Sequence, residues 1–452
     1  MHRKTIAVTL VSALISTLVN ISPGRADGTC LTIVDTHVTS GAGCSGSISI
    51  PDGITDIDAD AFNGAYGVTS VTIPSSVENI GENAFGGLFG LEHVTLSEGL
   101  KHIGNWAFSG TDALTSINFP ASVETIGTYC FYTGGENHGL LSTITFSGNK
   151  ITTIPERAFW NSSITTINLP NSIRTIDTDA FALSALETIT IPKSVHSINE
   201  SAFRNTALSS INFEANSELD FIGESAFGSD NQLISISLPE SLQTIGERAF
   251  AGTGITALTI PASVTTIGNE PFPTYPSTIP IRVNLSKDST YNLSFLACRS
   301  SAPCDGGDNP NSGYSVSGSL PAGMSLNTTT GVISGKPTAS GTFKPTFTIT
   351  YGNDLGTGTN ANFTFVVAGA GDGNNGGNNG NDAAAAAAAA AAAQKQRELS
   401  ELLSIIPSIA GLALNLGDLT NTLLLKQKCV KGKKTKTVRY GAKCPKGYKK
   451  KK

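Results

Sequence analysis

The chain has 452 residues, of which 39% are hydrophobic and 14% are charged, and this length and apolar content exclude a single small domain. The formal net charge of −5 is distributed unevenly. Residues 426–452 carry 13 Lys or Arg and no acid, whereas residues 27–425 carry 14 basic and 35 acidic residues, a net charge of −21. The acidic body of the chain is therefore not expected to bind nucleic acid, and affinity for polyanions should lie in the C-terminal tail.

Residues 1–26 are predicted to form a signal peptide. His2-Arg3-Lys4 supplies the charged start, Ile6–Val19 is mostly apolar, and Gly24-Arg25-Ala26 offers small residues at the cleavage positions. The apolar run is too short to span a membrane comfortably, which argues against a membrane anchor. We predict cleavage near Asp27 and a secreted or extracellular protein that is associated with the cell surface.

One sequence unit recurs ten times over residues 48–278, with spacings of 22 to 28 residues. Each copy ends in a phenylalanine: Phe62, Phe85, Phe108, Phe131, Phe159, Phe181, Phe203, Phe227, Phe250 and Phe272. A period in the twenties indicates a solenoid in which each repeat contacts only its neighbours. Solenoids need a cap over the exposed end of the core, and we predict an N-terminal cap at residues 27–47.

The repeat alternates as a half-buried strand does. In the seventh copy, Thr188 and Thr190 alternate with Ile189 and Ile191, and Pro192 then ends the strand because it has no N–H to donate. A second apolar pair follows at a spacing of three, then a turn that often contains Gly, and then Ala-Phe. Stacked copies would bury the Ile, Val, Ala and Phe side chains in one continuous core, each Phe contributing roughly 1.5–3 kcal/mol.

This pattern resembles the BspA-like type of bacterial leucine-rich repeat, which runs L-x-x-I-x-I-P-x-x-V-x-x-I-G-x-x-A-F. Residues 186–203 match it almost position for position. It departs from the commoner leucine-rich repeat, because Pro usually stands where Asn or Cys would follow the strand. The resemblance implies a mostly β, right-handed repeat solenoid that is secreted or displayed on a cell surface, works by binding and has no catalytic residues.

The outward strand positions are the candidate binding residues. They are mostly small, uncharged hydrogen-bonding groups, which either suit a solvated strand or form a flat polar surface for an extracellular protein or glycan. They offer no cationic stripe for nucleic acid. The candidates are Thr72, His93, Thr95, Asn118, Thr143, Thr145, Asn168, Thr188, Thr190 and Asn212.

Residues 279–368 are predicted to form an Ig-like β-sandwich. Prolines break the repeat period after Phe272, and short alternating strands separated by turn residues follow. The runs Leu320–Leu326, Thr330–Pro337 and Ser340–Phe343 resemble the Ig domains of bacterial surface proteins. That resemblance implies a spacer or stalk module and no catalyst.

The C-terminal part is predicted to be a helical/disordered tail. Residues 369–382 form a Gly/Asn linker, and residues 383–425 form an Ala-rich helix followed by an apolar segment. The uncharged run Leu402–Gly417 is too short for a dependable membrane span, so we favour a hydrophobic docking segment over one that touches a membrane.

The basic tail, residues 426–452, resembles a tail found on secreted actinobacterial proteins. Its charge favours an anionic cell-envelope polymer, and the alternative is a solvated tail that improves solubility. The candidate envelope-binding residues are Lys431, Lys433, Lys434, Lys436, Arg439, Lys443 and Lys446.

Seven cysteines fit an oxidising compartment. Three sequence-local disulfides are candidates, with the connectivity left open: Cys30 with Cys44, Cys298 with Cys304, and Cys429 with Cys444. Closing the first loop could stabilise the N-terminal cap by ~3 kcal/mol. Cys130 is left over, and its place before Phe131, where nearly every other copy has Ala, indicates a small buried hydrophobe.

No H-E-x-x-H, C-x-x-C, G-x-S-x-G or P-loop string occurs, so we predict no enzyme, no cofactor and no metal site. The sequence favours a secreted cell-surface binding or adhesion protein. The alternative is a structural component of the cell envelope without a soluble ligand.

Overall fold

The computed structural model describes residues 30–134, 139–272, 279–294, 313–350, 357–360, 363–368, 426–431, 434–439 and 449–450. Its strands are numbered β1 to β33 in chain order, and the described residues contain no helix. The fold over the ten copies is a β-solenoid. Two compact units can be distinguished, Met1–Asn374 and Asn375–Lys452.

The first strand row of the solenoid contains the longer strand of most repeats. Polar and apolar residues alternate in it, and the apolar ones face the core, most of them fully buried, as the period of two requires. Its strands are β3 (Ser45–Ser49), β5 (Gly67–Ile73), β7 (His93–Leu96), β9 (Ser116–Phe119), β11 (Thr143–Phe146), β13 (Thr166–Ile167), β15 (Thr188–Ile191), β17 (Ser210–Phe213) and β20 (Leu258–Ile260).

The second strand row follows the proline and consists of pairs of residues that usually end in a buried Ile. The pairs hydrogen-bond to the equivalent pairs of adjacent repeats in parallel. They are β4 (Asp56–Ile57), β6 (Asn79–Ile80), β8 (His102–Ile103), β10 (Thr125–Ile126), β12 (Thr153–Ile154), β14 (Thr175–Ile176), β16 (Ser197–Ile198), β18 (Phe221–Ile222), β19 (Thr244–Ile245) and β21 (Thr266–Ile267).

The core is a ladder of phenylalanine rings. From Phe62 to Phe250, nine successive rings stack with centroids 4.7 to 5.7 Å apart, all nearly parallel and buried. Such aromatic pairs contribute about 0.5–1.5 kcal/mol each beyond the area that they bury. Cys130 lies fully buried beside this ladder, and burial raises the pKa of its thiol far above the usual range. It is therefore an inert thiol, in agreement with the sequence prediction.

The N-terminal end is closed by an antiparallel hairpin. Strands β1 (Thr32–Val34) and β2 (His37–Ser40) pair, and β2 continues in parallel onto β4 of the first repeat. A disulfide joins Cys30 to Cys44 across a Cα–Cα distance of 5.1 Å. Gly41 lies over the first ring of the ladder, where a Cβ would collide with Phe62.

The C-terminal end of the solenoid continues into the Ig-like domain. Strand β22 (Ile281–Ser286) pairs in parallel with β20, and β23 (Tyr291–Leu293) pairs in parallel with β21. The buried Tyr291 hydroxyl donates to the Ala262 carbonyl at 3.0 Å. The sequence repeat ends near residue 272, yet β22 and β23 extend both strand rows beyond that point. The Ig-like strands cover the open end of the repeat core.

The Ig-like domain has three hydrogen-bonded groups of strands. In one, β30 pairs with β22 in parallel and with β27 in antiparallel fashion; in the others, β26 joins β23 to β25, and β28 joins β24 to β29. The strands are β24 (Gly313–Ser317), β25 (Met324–Leu326), β26 (Ile333–Gly335), β27 (Gly341–Phe343), β28 (Thr346–Thr350), β29 (Thr357–Asn360) and β30 (Phe363–Ala368).

In the second unit, the basic tail contains β31 (Lys426–Lys431), β32 (Lys434–Arg439) and β33 (Lys449–Lys450), with β31 antiparallel to both others. Several predictions lie outside the described residues: the signal peptide, the Gly/Asn linker, the Ala-rich helix and apolar segment, and the Cys298–Cys304 pair. Of the Cys429–Cys444 pair, only Cys429 is described, in β31.

The Asp230 carboxyl group is fully buried in the solenoid. The Asp230 side chain is inaccessible, and its Oδ1 accepts hydrogen bonds from the Thr206 N–H at 2.7 Å and hydroxyl at 2.9 Å. Its Oδ2 has no hydrogen-bond partner among the described residues. Burial disfavours the charged form and raises the pKa of Asp230 to about 8.

Removing a ring from the middle of the ladder should be costly. Phe203→Ala leaves a cavity between two stacked neighbours, and we expect a loss of ~3–5 kcal/mol in the free energy of unfolding, measured by denaturant melts. Phe221→Ala is the matched control, because Phe221 points outward and is 38% exposed. Its loss should stay below about 1 kcal/mol. Equal losses would contradict a continuous stacked core.

Asp230 should make stability depend on pH. Its carboxyl has a pKa of about 8 in the folded chain and about 3.9 in the unfolded chain. Between these two pH values the carboxyl is ionised in the unfolded chain but still protonated in the folded chain. The contribution of Asp230 to the free energy of unfolding is therefore complete below about pH 4 and decreases until about pH 8, by up to the order of 5 kcal/mol. Asp230→Asn cannot ionise and should remove this fall, whereas Asp52→Asn, at an exposed position, should retain it. If urea melts show that the stability of Asp230→Asn changes with pH in the same way as that of wild type, Asp230 is not the cause of the fall.

Candidate binding surfaces

The strand face is the outward side of the first strand row. The parallel register places equivalent residues of adjacent repeats beside each other: Thr95 lies beside Thr72, Thr145 beside Asn118, and Thr190 beside Asn212. Adjacent strands in a sheet are about 4.8 Å apart. The face therefore repeats a polar group at a short and regular interval.

All ten candidate residues lie on this face, in two columns. Eight are exposed, and Thr188 and Asn212 are half-buried. One column contains His93, Thr143 and Thr188. The other contains Thr72, Thr95, Asn118, Thr145, Asn168, Thr190 and Asn212.

Neighbouring side chains on the strand face hold one another in place. The Thr145 hydroxyl donates to Asn118 Oδ1 at 2.6 Å, and the Ser147 hydroxyl donates to the same oxygen at 3.1 Å. His93 is the only titratable group among the ten candidates, and its Nε2 is 3.9 Å from a Glu92 carboxylate oxygen. Both groups are well exposed, so this pair contributes little. The face is uncharged over most of its length.

A second outward row, the turn row, was not foreseen from the sequence. It consists of the residue two positions before each core phenylalanine, and every member has a positive φ between 47° and 60°. From Asp60 to Arg248, the backbone N–H groups of its members donate to carbonyls of the next repeat at 2.8 to 3.0 Å. The members are Asp60, Asn83, Trp106, Tyr129, Arg157, Asp179, Ser201, Ser225, Arg248 and Glu270. The variable residue that precedes Ala-Phe in each copy is the signal that could have found this row.

The turn row contains a polar network around one tyrosine. Arg157 Nη1 donates to the Tyr129 hydroxyl at 2.6 Å, and that hydroxyl donates to Glu156 Oε1 at 3.0 Å. Arg157 also contacts Asp179 Oδ2 through Nη2 at 2.8 Å. Burial, together with the hydrogen bond to Glu156, raises the pKa of Tyr129. The tyrosine therefore stays protonated, and its hydroxyl is held in place.

The described histidines lie at separate places: His37 in the N-terminal cap, His93 and His102 on different strands of the third repeat, and His196 in the seventh. His37 contacts Asp58 at 3.0 Å, and this hydrogen bond raises the pKa of His37. His102 is 2.9 Å from the Thr125 hydroxyl. Across the described part of the chain, no three His, Cys, Asp or Glu side chains are close enough together to hold a metal ion.

Four of the seven envelope-binding candidates lie in described strands of the basic tail: Lys431 in β31, and Lys434, Lys436 and Arg439 in β32. The register places Lys431 opposite Lys434 and Lys426 opposite Arg439. Lys433, Lys443 and Lys446 lie outside the described residues. Within the described ranges there is no apolar helix of membrane-spanning length.

Two family models match the chain. The model described as "BspA type Leucine rich repeat region", which contains six copies, matches residues 40–163 and 152–279, and these ranges together span more than half of the sequence. The model described as "Putative Ig domain" matches residues 271–368. No curated protein matches the chain.

The chain is also similar to solved bacterial structures. A leucine-rich cell surface protein from Faecalibacterium prausnitzii is 23% identical, with 54% of this chain and 73% of that chain covered and a TM-score of 0.35. The pneumococcal vaccine antigen PcpA is 23% identical, with coverages of 56% and 75% and a TM-score of 0.37. The leucine-rich repeat protein TpLRR of T. pallidum is 24% identical, with coverages of 44% and 82% and a TM-score of 0.31.

Proposed function

The chain belongs to the BspA-type leucine-rich repeat family, and on this premise we propose that it is a secreted, cell-surface binding or adhesion protein that contacts an extracellular protein or glycan through its strand face. One observation carries the proposal. A column of hydroxyl and amide side chains runs along seven consecutive repeats from Thr72 to Asn212, exposed in all but the last, with a second outward column beside it.

The strand face suits an extended polar ligand. Its donors and acceptors recur at each repeat, so a partner with regularly spaced polar groups gains one contact per step. Rigid elements support such contacts better than loops do, because less ordering is needed on binding. The hydrogen bonds between Asn118, Thr145 and Ser147 reduce this cost further.

Export is supported by the disulfide as well as by the predicted signal peptide. The Cys30–Cys44 bond closes the N-terminal cap, and such bonds persist in oxidising compartments. Binding rather than catalysis is supported by the chemistry of the described residues. The described histidines lie apart in the N-terminal cap, the third repeat and the seventh repeat, the buried Asp230 carboxyl group accepts its hydrogen bonds from Thr206, and the Cys130 thiol is buried and inert.

The basic tail is the proposed attachment to an anionic envelope polymer. Thirteen basic residues without an acid provide a dense positive charge. The register of β31 and β32 also places basic residues opposite each other, as in Lys431 and Lys434. Like charges at facing positions destabilise a strand pair, so a bound polyanion would relieve this repulsion.

The strand face can be tested with a glycan and matrix-protein array. The full protein should bind reproducibly to at least one component. Thr145→Lys, Asn168→Lys and Thr190→Lys combined should remove binding to at least one of these components, because three long charged side chains would cover the face.

The matched control places three lysines on the second strand row of the same repeats, by Thr153→Lys, Thr175→Lys and Ser197→Lys. This protein should bind as wild type does. If both triple variants lose binding equally, the strand face is not the binding site. Absence of any binding, together with regular self-assembly, would favour a structural envelope component instead.

The tail can be tested by washing cells or cell-wall preparations at rising salt. The full protein should detach between 0.1 M and 1 M salt, since the Debye length falls from about 10 Å to about 3 Å. A version that ends at Leu425, and a full-length version with the seven candidate basic residues changed to Gln, should both stay in solution at low salt. If all three proteins partition alike, the tail is not an electrostatic anchor.

A further inference from the structure

Six aromatic side chains lie outward along one edge of repeats one to five. We call them the aromatic edge: Tyr66, Phe89, Trp106, Tyr129, Tyr132 and Trp160. Tyr66 and Phe89 are 64% and 59% exposed, and the other four are half-buried. Both tryptophans of the chain are among them. The edge is separate from the strand face.

The rings lie along one band in two stacked groups, which are bridged by the backbone at Gly110. Tyr66 stacks on Phe89 with a centroid distance of 6.5 Å, and the Phe89 ring lies against Gly110 of the third repeat. The Gly110 N–H donates to the Tyr132 carbonyl of the fourth repeat, and the Tyr132 ring stacks on Trp160 of the fifth at 4.7 Å.

Trp106 and Tyr129 widen the band at its centre. Their rings stack at 4.0 Å, and both contact Tyr132, at 5.9 and 5.6 Å. The Arg157 guanidinium lies 5.2 Å from the centroid of Tyr129. The four central rings therefore form one rigid cluster.

The fold does not need aromatic residues at these positions. In the flanking repeats, the turn row has Asn83 and Asp179 with the same positive φ, and Asn and Asp adopt this conformation readily. Trp106 and Tyr129 adopt it at φ 60° and 57°, where bulky residues are rare. All members of the turn row share this conformation, so it belongs to the repeat and does not call for an aromatic side chain.

The second half of the solenoid shows the same edge without aromatic residues. After Trp160, the position that follows each core phenylalanine is taken by Ala182, Arg204, Gly228 and Ala251. These repeats bury their phenylalanines equally well. The aromatic residues therefore serve something other than the stability of the repeat.

We propose that the aromatic edge binds a neutral glycan chain. A pyranose ring has a face of C–H groups that packs on aromatic rings, and hydroxyl groups at its rim that need polar partners. The edge offers aromatic rings and polar partners together, because Glu156 and Arg157 are hydrogen-bonded to the Tyr129 hydroxyl within the ring cluster.

The local charge selects against an anionic glycan. Arg157 is paired with Asp179, and Glu156 adds a further carboxylate, so the three groups have a formal sum of −1. A sulfated or uronic acid chain would meet repulsion here. A neutral chain would meet the same hydrogen-bonding groups without this repulsion.

The shape of the edge favours an extended glycan over a peptide. Five repeats at about 4.8 Å spacing give a band of roughly 20 Å, which is long enough for several sugar units. An extended peptide binds by adding to free backbone N–H and C=O groups. Here the N–H groups of Trp106, Tyr129 and Tyr132 already donate to backbone carbonyls.

The two tryptophans give the proposal a direct readout. We expect titration of the full protein with soluble mannan, hydroxyethylcellulose or dextran to change tryptophan fluorescence with at least one of them, and the same polysaccharide to retard the protein in affinity gels. Trp160→Ala should weaken binding at least about tenfold, and Trp160→Phe by less than about threefold.

Three further variants separate this site from a loss of folding and from the strand face. Phe89→Ala removes an exposed ring and should weaken binding while the melting temperature stays unchanged. Phe221→Ala, an exposed ring elsewhere on the solenoid, should bind as wild type does. Thr145→Lys alters only the strand face and therefore reports which of the two surfaces holds the polysaccharide.

The proposal is overturned if none of the three neutral polysaccharides binds. Retention only by polygalacturonate or gelatin would also overturn it, in favour of an anionic glycan or a protein. If Thr145→Lys abolishes binding and Trp160→Ala does not, the glycan binds the strand face. That result would reject the aromatic edge and leave the proposed function standing.

Discussion

The contact between successive phenylalanines is the interaction on which the rest of the structure depends. Each core phenylalanine stacks its ring on the next one, and its N–H donates to the carbonyl of the residue before that next phenylalanine, at 2.8 to 3.0 Å from Phe62 to Phe250. Ring stacking and backbone bonding therefore impose the same spacing. That spacing sets the parallel register of both strand rows, so outward residues of successive repeats align in columns.

A stacked core of this kind is exposed at both ends, and the chain covers each end differently. At the N-terminus, a hairpin and the Cys30–Cys44 disulfide close the first repeat, and Gly41 allows close approach to Phe62. At the C-terminus, β22 and β23 of the Ig-like domain extend the two strand rows. The Ig-like domain is thus a cap as well as the spacer that its resemblance implies. Removing it would expose the edges of β20 and β21, and exposed sheet edges invite aggregation.

Because the core and the backbone bonds hold each repeat in place, the outward positions can vary. The strand face and the aromatic edge use this freedom in different ways. The first repeats small hydroxyl and amide groups over seven repeats, whereas the second concentrates large rings on five. A single solenoid can therefore present two chemically distinct surfaces without any change in its core.

The sequence alone determined the repeat, the buried phenylalanines, the burial of Cys130 and the side of each strand that faces outward, because these depend on local alternation and on a fixed period. It did not show that β22 pairs with β20, since the prolines after Phe272 hide a contact between segments that share no pattern. Nor did it show the buried carboxyl of Asp230, whose polar neighbours in the sequence resemble any surface turn. Tyr66, Phe89 and Trp160 are dispersed over almost a hundred residues. Only the stacking of one repeat on the next brings them to a common edge, because their proximity depends on the register between repeats and not on the sequence around any one of them.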